Sequence, residues 1–234
     1  MKGHRKLMTP IDAYQRFHED SVRFLMAQNV ILASEVAAKK GDAGLLERFK
    51  EFEAAGQPIY HDLYEYLCAH LFIAYISNFE TFLENIATYV VRKHPKKLGY
   101  IQFKLADVID ASDQNSLVDR AIEEHLNRIM YKRPLEYLHE FCSLISIDRS
   151  TINSDWALFV EAKARRDLGV HAAWRCNSIY LRKVEEASVE SNLSLGASAI
   201  PDTEDYLDSV VEALLRLAEN IMQQVVAVHG REEV

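Results

Sequence analysis

Apolar residues recur along the chain at spacings of three and four, the repeat of one face of an α-helix. Nowhere do apolar and polar positions alternate over a stretch long enough to predict a strand. The clearest run is Tyr60, Leu63, Tyr64, Leu67, Leu71, Ala74, Tyr75, Phe82, Ile86, Tyr89 and Val90. It predicts a long helix from Pro58 to Arg92. His94-Pro95 should end it, because a residue before proline is driven out of the α region. Upstream, Thr9-Pro10-Ile11-Asp12 carries a helix start: a hydroxyl cap, a proline for the first turn and an acid three residues after the cap. That helix is predicted to reach Lys40, with Phe17, Val22, Leu25, Val30, Ile31 and Leu32 as its apolar stripe and Gly41 and Gly44 beyond it. A short helix is expected over Leu45 to Ala54.

Leu98 to Ser116 reads as irregular, apart from a short helical piece at Leu105 to Ile109. Leu117 to Tyr131 and Pro134 to Ile145 predict two modest helices. Ser154 is the expected cap of another, with Trp156, Phe159, Val160 and Leu168 on its apolar face. Ser178 to Ala187 predicts a further piece, and the small polar stretch Ser188 to Ile200 a loop. Asp202-Thr203-Glu204-Asp205 sets acids at a helix N-terminus, where the dipole favours them. Tyr206, Val210, Leu214, Leu217, Ile221, Val225 and Val228 then carry a last helix. No repeat and no linker divides the chain, so residues 1–234 are expected to form one all-α domain.

Composition agrees. Only 8 Gly and 5 Pro occur in 234 residues, too few for the many tight turns of an all-β protein. With 49% hydrophobic and 26% charged residues, collagen, low-complexity disorder and a disulfide scaffold are excluded. Cys68, Cys142 and Cys176 form no CxxC pair and read as reduced thiols. No apolar segment follows the basic N-terminus, and Leu67 to Ile76 is too short to span a bilayer. A cytoplasmic protein with no membrane association is expected. The net charge of −8 argues against coating nucleic acid by bulk electrostatics and moves attention to local charge.

The common phosphate-loop, dinucleotide, zinc-protease and serine-hydrolase motifs are absent. No two His stand at i,i+4, so neither a metal site nor a cofactor is expected. What remains is Arg165-Arg166-Asp167-Leu168-Gly169-Val170-His171. Asp167 and His171 are one turn apart, a spacing that lets the carboxylate accept from the imidazole and orient it. Arg166 lies about 140° around the helix from His171, and loosening at Gly169 would bring the two closer. A histidine can take the proton of a ribose 2′-hydroxyl or return one to the leaving 5′-oxygen. A guanidinium can grip the phosphate between them.

Spacing alone is weak: Arg120 with His125 and Arg133 with His139 match as well, but they sit among Glu123, Glu124 and Glu136. The stretch from Glu161 to Lys183 instead carries Lys163, Arg165, Arg166, Arg175, Arg182 and Lys183 against Glu161 and Asp167. A second run, Arg92, Lys93, Lys96, Lys97 and Lys104, contains no acid. A positive groove is expected if the fold joins the two. Lys163, Arg165 and Arg175 are the candidate substrate-binding residues. His70 reads as a core histidine, and Tyr60, Tyr64, Tyr75 and Tyr89 as packing. The basic cluster should lower the pKa of Cys176.

The Arg-Arg-Asp-Leu-Gly-Val-His run, with Tyr180-Leu181 beyond it, resembles the signature of the HEPN superfamily. Phe79-Glu80-x-Phe82-Leu83, His94-Pro95 and Arg133-Pro134-Leu135-Glu136 resemble the RiboL-PSP-HEPN branch, so the likeness spans residues 58 to 187. It implies a helical bundle with long antiparallel helices. It also implies a metal-independent endoribonuclease, a toxin or phage-defence effector, whose composite site forms in a homodimer. Carried over, Arg166 would bind the scissile phosphate, His171 would act as acid and base, and Asp167 would tune the arginine. An antitoxin or a nucleotidyltransferase is the further partner implied besides RNA. Many relatives carry asparagine after the histidine where this chain has Ala172. That departure keeps open a catalytically inactive HEPN-like module for dimerisation, nucleotide or partner-protein binding.

Overall fold

The computed structural model describes residues 7–39, 63–99, 108, 114–201 and 204–230. Seven α-helices account for most of them: α1 (Pro10–Lys39), α2 (Leu63–Lys93), α3 (Gln114–Met130), α4 (Pro134–Ile145), α5 (Asn153–His171), α6 (Ser178–Glu186) and α7 (Glu204–His229). Short 3-10 turns occupy Pro95–Leu98 and Arg149–Thr151. Among the described residues there is no strand, only one isolated bridge between Arg175 and Ser198. The protein is all-α. The helix expected over Leu45 to Ala54, most of the piece at Leu105 to Ile109, and Asp202-Thr203 lie outside the described residues.

Local chemistry sets the helix ends. Asp12 N–H donates to Thr9 Oγ1 at 3.1 Å while Thr9 N–H donates to Asp12 Oδ2 at 3.3 Å, a reciprocal capping box. α2 stops at Lys93, and His94 leaves the α region (φ −131°, ψ 68°) ahead of Pro95, as the proline requires. Pro134 occupies the first turn of α4, and Asn177 caps α6 by accepting from Tyr180 N–H at 2.9 Å. Ser154 is not the cap of α5. The helix begins at Asn153, behind the 3-10 turn that Asp148 caps through Ser150 N–H at 2.9 Å.

α2 is the axial helix. α1, α3, α4, α5 and α7 all pack against it. Phe17 of α1 meets Tyr75, Phe79 and Phe82 of α2, and Trp156 of α5 sits among Tyr137, Phe141 and Phe159. Most of the expected stripe is buried, including Phe17, Tyr75, Phe82, Ile86, Tyr89 and Val90, but α1 and α2 depart from it at several positions. Val22 and Val30 are exposed while Ser21 and Gln28 are buried, and on α2 Ala74 is exposed while Phe72, Ile76 and Phe79 are buried. His70 is exposed as well, its Nδ1 2.7 Å from the Tyr66 carbonyl, so it is not a core histidine.

A smaller apolar cluster joins α5, α6 and the loop after α6 through Ala164, Leu168, Cys176, Tyr180, Val184 and Ala199. Backbone bonds strap this loop to the turn that follows α5. Cys176 N–H donates to Ala197 C=O (2.9 Å), Gly196 N–H to Cys176 C=O (2.8 Å) and Ala199 N–H to Trp174 C=O (2.8 Å). The C-terminal end of α5, which carries the candidate chemistry, is thereby held. No helix among the described residues is long and apolar enough to cross a membrane.

Candidate functional site

On α5, residues 163, 166 and 167 are spaced three and four apart and share one face, with His171 a turn beyond. That face looks across to Glu80 and Glu84, themselves i,i+4 on α2. Between them lies a cleft of about 480 Å³. Lys163, Arg166, Asp167 and His171 of α5 line it, with Glu80 and Glu84 of α2, Asn127 at the end of α3, Tyr131 and Lys132 of the α3–α4 turn, and Lys183 of α6. The three candidate catalytic residues and one candidate substrate-binding residue are thus brought to one place.

The ion pairs within the cleft are tightly organised. Glu80 accepts from Lys163 Nζ through Oε1 and from Arg166 Nη2 through Oε2. Asp167 Oδ2 accepts from Lys183 Nζ at 3.1 Å, and Asp167 Oδ1 lies 3.5 Å from Arg166 Nε. Arg166 Nε is buried with no hydrogen-bond partner and only the longer ion-pair contact with Asp167. Asp167 does not bond His171, contrary to the spacing argument; its carboxylate is turned to Lys183 of α6 and to Arg166 instead. His171 is exposed, and its ring makes no hydrogen bond among the described residues.

The helix does not loosen at Gly169. It continues to His171, and the glycine serves a different need. A Cβ there would overlap the six-membered ring of Trp174, which folds back over α5. Ala173 and Trp174 both take left-handed backbone (φ 46° and 58°), and Trp174 N–H returns to Leu168 C=O at 3.0 Å. The indole on Gly169 offsets the cost of those conformations, on the order of 1 kcal/mol each. Gly169→Ala is therefore expected to destabilise the protein by about 1–3 kcal/mol. In a Trp174→Ala background it should instead be neutral or slightly stabilising, since alanine is the better helix former. Urea denaturation of the four proteins checks this.

Arg165 goes elsewhere. It lies about 160° around α5 from Lys163 and faces away from the cleft. Its Nε donates to Glu161 Oε1 at 2.8 Å and its guanidinium stacks 4.0 Å from the Tyr206 ring centroid. Tyr180 and Tyr206 hydroxyls each donate to Glu161 at 2.6 Å. Arg175 is also outside the cleft, in the strapped turn, with Nη1 3.5 Å from the Gly196 carbonyl. Cys176 is buried, and burial pushes its thiol up by more than the nearby Arg165 pulls it down, so the net shift is opposite to the expected one.

The two basic runs do not merge. Lys93 is thirteen residues beyond Glu80 on α2, about 20 Å along the axis at helical rise. There Arg92 pairs with Asp119, Lys93 Nζ donates to the His229 carbonyl at 3.1 Å and Lys97 bonds Ser146. Lys104 lies outside the described residues. The cleft itself holds four cations against three carboxylates, so its excess is a single positive charge.

Glu84 was not singled out by sequence. It is exposed at the cleft, and desolvation, with the Glu80 carboxylate beside it, holds its carboxyl above the usual range, partly countered by Lys163. A folded-state pKa raised above the unfolded one costs stability once pH rises through it. Glu84→Gln is expected to be more stable than wild type at neutral pH. The difference should vanish in acid, where Glu84 is protonated in both states. Urea midpoints measured across that range check the sign. Glu80 carried a readable signal: an acid inside the apolar run Phe79-Glu80-Thr81-Phe82-Leu83, buried to 9% exposure, must have partners. Among the described residues no three His, Cys, Asp or Glu side chains gather as a metal-ligand set. Comparisons with protein-family models, curated proteins and solved structures find no match for this chain.

Proposed function

We propose that the protein is a HEPN-type endoribonuclease that needs no metal and cuts RNA with Arg166 and His171. One observation carries the reading. The Arg-x4-His pair opens onto a single cleft, and the acid of the Phe79-Glu80-x-Phe82-Leu83 run meets Arg166 there, 86 residues away in sequence. Two separate parts of the resemblance converge on one guanidinium.

In this reading Glu80 fixes the Arg166 fork before RNA arrives, so little side-chain entropy is lost on gripping the phosphate. An imidazole takes the proton of the ribose 2′-hydroxyl as that oxygen attacks phosphorus. The P–O5′ bond breaks, and a second proton donor protonates the leaving 5′-oxygen. The products are a 2′,3′-cyclic phosphate and a 5′-hydroxyl. One protomer offers one His171, so a homodimer with two facing motifs supplies both proton-transfer groups. A toxin or phage-defence role, with an antitoxin or nucleotidyltransferase as partner, follows from the resemblance alone.

A second reading is a catalytically inactive HEPN-like module for dimerisation, nucleotide or partner-protein binding. It is favoured by the pairing of Lys163 and Arg166 with Glu80, and of Asp167 with Lys183 rather than His171. Incubating purified protein with RNA in EDTA, alongside a sizing measurement, separates the two. Cleavage by a dimer supports the nuclease. A dimer that leaves RNA intact supports the module. Cleavage by a monomer contradicts the composite site.

A further inference from the structure

We infer that Tyr131 is a stacking platform for an unpaired nucleobase of RNA held in the cleft, which makes single-stranded RNA the substrate class. The inference rests on the RNA-binding part of the reading above.

Tyr131 is 91% exposed, the highest exposure among the large hydrophobic side chains described. Its ring meets no other ring, cation or hydrogen-bond partner among the described residues. Burying an aromatic side chain stabilises a fold, and this one contributes nothing of that kind. Yet its backbone is fixed. Tyr131 N–H donates to Asn127 C=O at 3.3 Å and Lys132 N–H to Ile129 C=O at 3.1 Å, while Lys132 pairs with Glu140 and Pro134 starts α4. A held turn thus presents a bare aromatic face.

That face belongs to the wall of the same cleft that contains Arg166 and His171. Asn127, one turn earlier on α3, also lines it and is exposed. Its amide offers a donor and an acceptor to a base edge. A stacking ring, an adjacent amide and cations behind them match the three parts of a nucleotide: base face, base edge and phosphate. In duplex RNA the base faces are covered by neighbouring pairs, so only an unpaired base can use the ring. A protein partner docked at Tyr131 would set its surface against Lys132, Lys163 and Lys183 and the cleft carboxylates, charges it would have to desolvate.

The test is binding of fluorescent hexa-adenylate RNA to the His171→Ala protein, in which cleavage should be about 10²–10⁴-fold slower. Tyr131→Ala should weaken binding about tenfold or more. Tyr131→Phe should stay within about twofold of the parent. Tyr131→Leu, apolar but without a π-face, should behave as alanine does. A hairpin RNA without unpaired bases should bind more weakly and ignore the substitution. Unchanged hexa-adenylate binding in Tyr131→Ala overturns the platform, as does a change of oligomeric state that accounts for the loss. If RNA is cut by wild type while Tyr131→Ala binds normally, the nuclease stands and the platform falls. If RNA binding depends on Tyr131 and nothing is cut, the platform stands and the nuclease falls. Absence of both binding and cleavage ends both.

Discussion

His171→Ala is expected to lower RNA cleavage by about 10²–10⁴-fold, the usual contribution of one positioned acid–base group. It should leave the fold intact. The ring is exposed, bonds to nothing among the described residues and ends its helix, so its removal should change stability by less than about 0.5 kcal/mol. Arg166→Ala should remove cleavage as well, but with a different companion effect. It leaves Lys163 as the remaining partner of Glu80, and some loss of stability is expected. Rates measured with substrate in excess, beside urea denaturation of each variant, distinguish the two cases. Cleavage persisting in both variants would remove the cleft from the chemistry.

Glu161→Ala is expected to have the largest effect on stability, about 3–5 kcal/mol. Glu161 is 2% exposed and receives three donors, Arg165 Nε and the hydroxyls of Tyr180 and Tyr206. Burial, with the Glu161 charge beside it, pushes the Tyr180 hydroxyl up to about 12 and holds that of Tyr206 well above its ordinary value. The phenols therefore remain protonated donors throughout the working pH range. Deleting the carboxylate leaves a largely buried guanidinium unpaired and the Tyr206 hydroxyl without its acceptor, with Tyr180 left to Ser191 Oγ at 3.0 Å. At about 2–4 °C per kcal/mol for a chain of this size, melting should fall by about 10 °C. Glu161→Gln keeps the volume and one acceptor and should lose less. A Glu161→Ala protein that melts with wild type would show that α5, α6 and α7 are held together by other means.

The helices were legible because each announces itself locally. The Thr9–Asp12 box, His94-Pro95, Arg133-Pro134 and the run from Tyr206 to Val228 depend on neighbours in sequence, and the structure follows them to within a few residues. The phase of the apolar stripes was legible on α5 and α7, where Trp156, Phe159, Leu168, Val210, Leu214 and Ile221 are buried as expected, but only in part on α1 and α2. α2 is packed by helices on several sides, so its apolar residues cover more than one face and spacing cannot choose among them. Ser21 shows a second reason. Its hydroxyl satisfies itself on the Phe17 carbonyl at 2.9 Å and meets Tyr75 Oη at 3.2 Å, so it can be buried where Val22 is not.

The same division holds for the cleft. Lys163, Arg166, Asp167 and His171 could be gathered from helical spacing alone. Their partners could not, since Glu80 and Lys183 arrive from other helices and replace the Asp167–His171 bond that spacing suggested. Arg165 adjoins Arg166 in sequence, but one residue is about 100° of helix, enough to send it to the opposite side. Tyr131 and Glu84 carry no motif. Only their exposure on a shared wall makes them visible.

The chemistry at the new 3′ ends is the most direct measurement of the central claim. RNA is incubated in EDTA with wild type and with His171→Ala, and the product termini are read by mass. Attack by the 2′-hydroxyl in the Arg166–His171 cleft predicts 2′,3′-cyclic phosphates facing 5′-hydroxyls, formed by wild type and lost with the imidazole. Product ends bearing a 5′-phosphate, or cyclic phosphates formed equally well without His171, would contradict it.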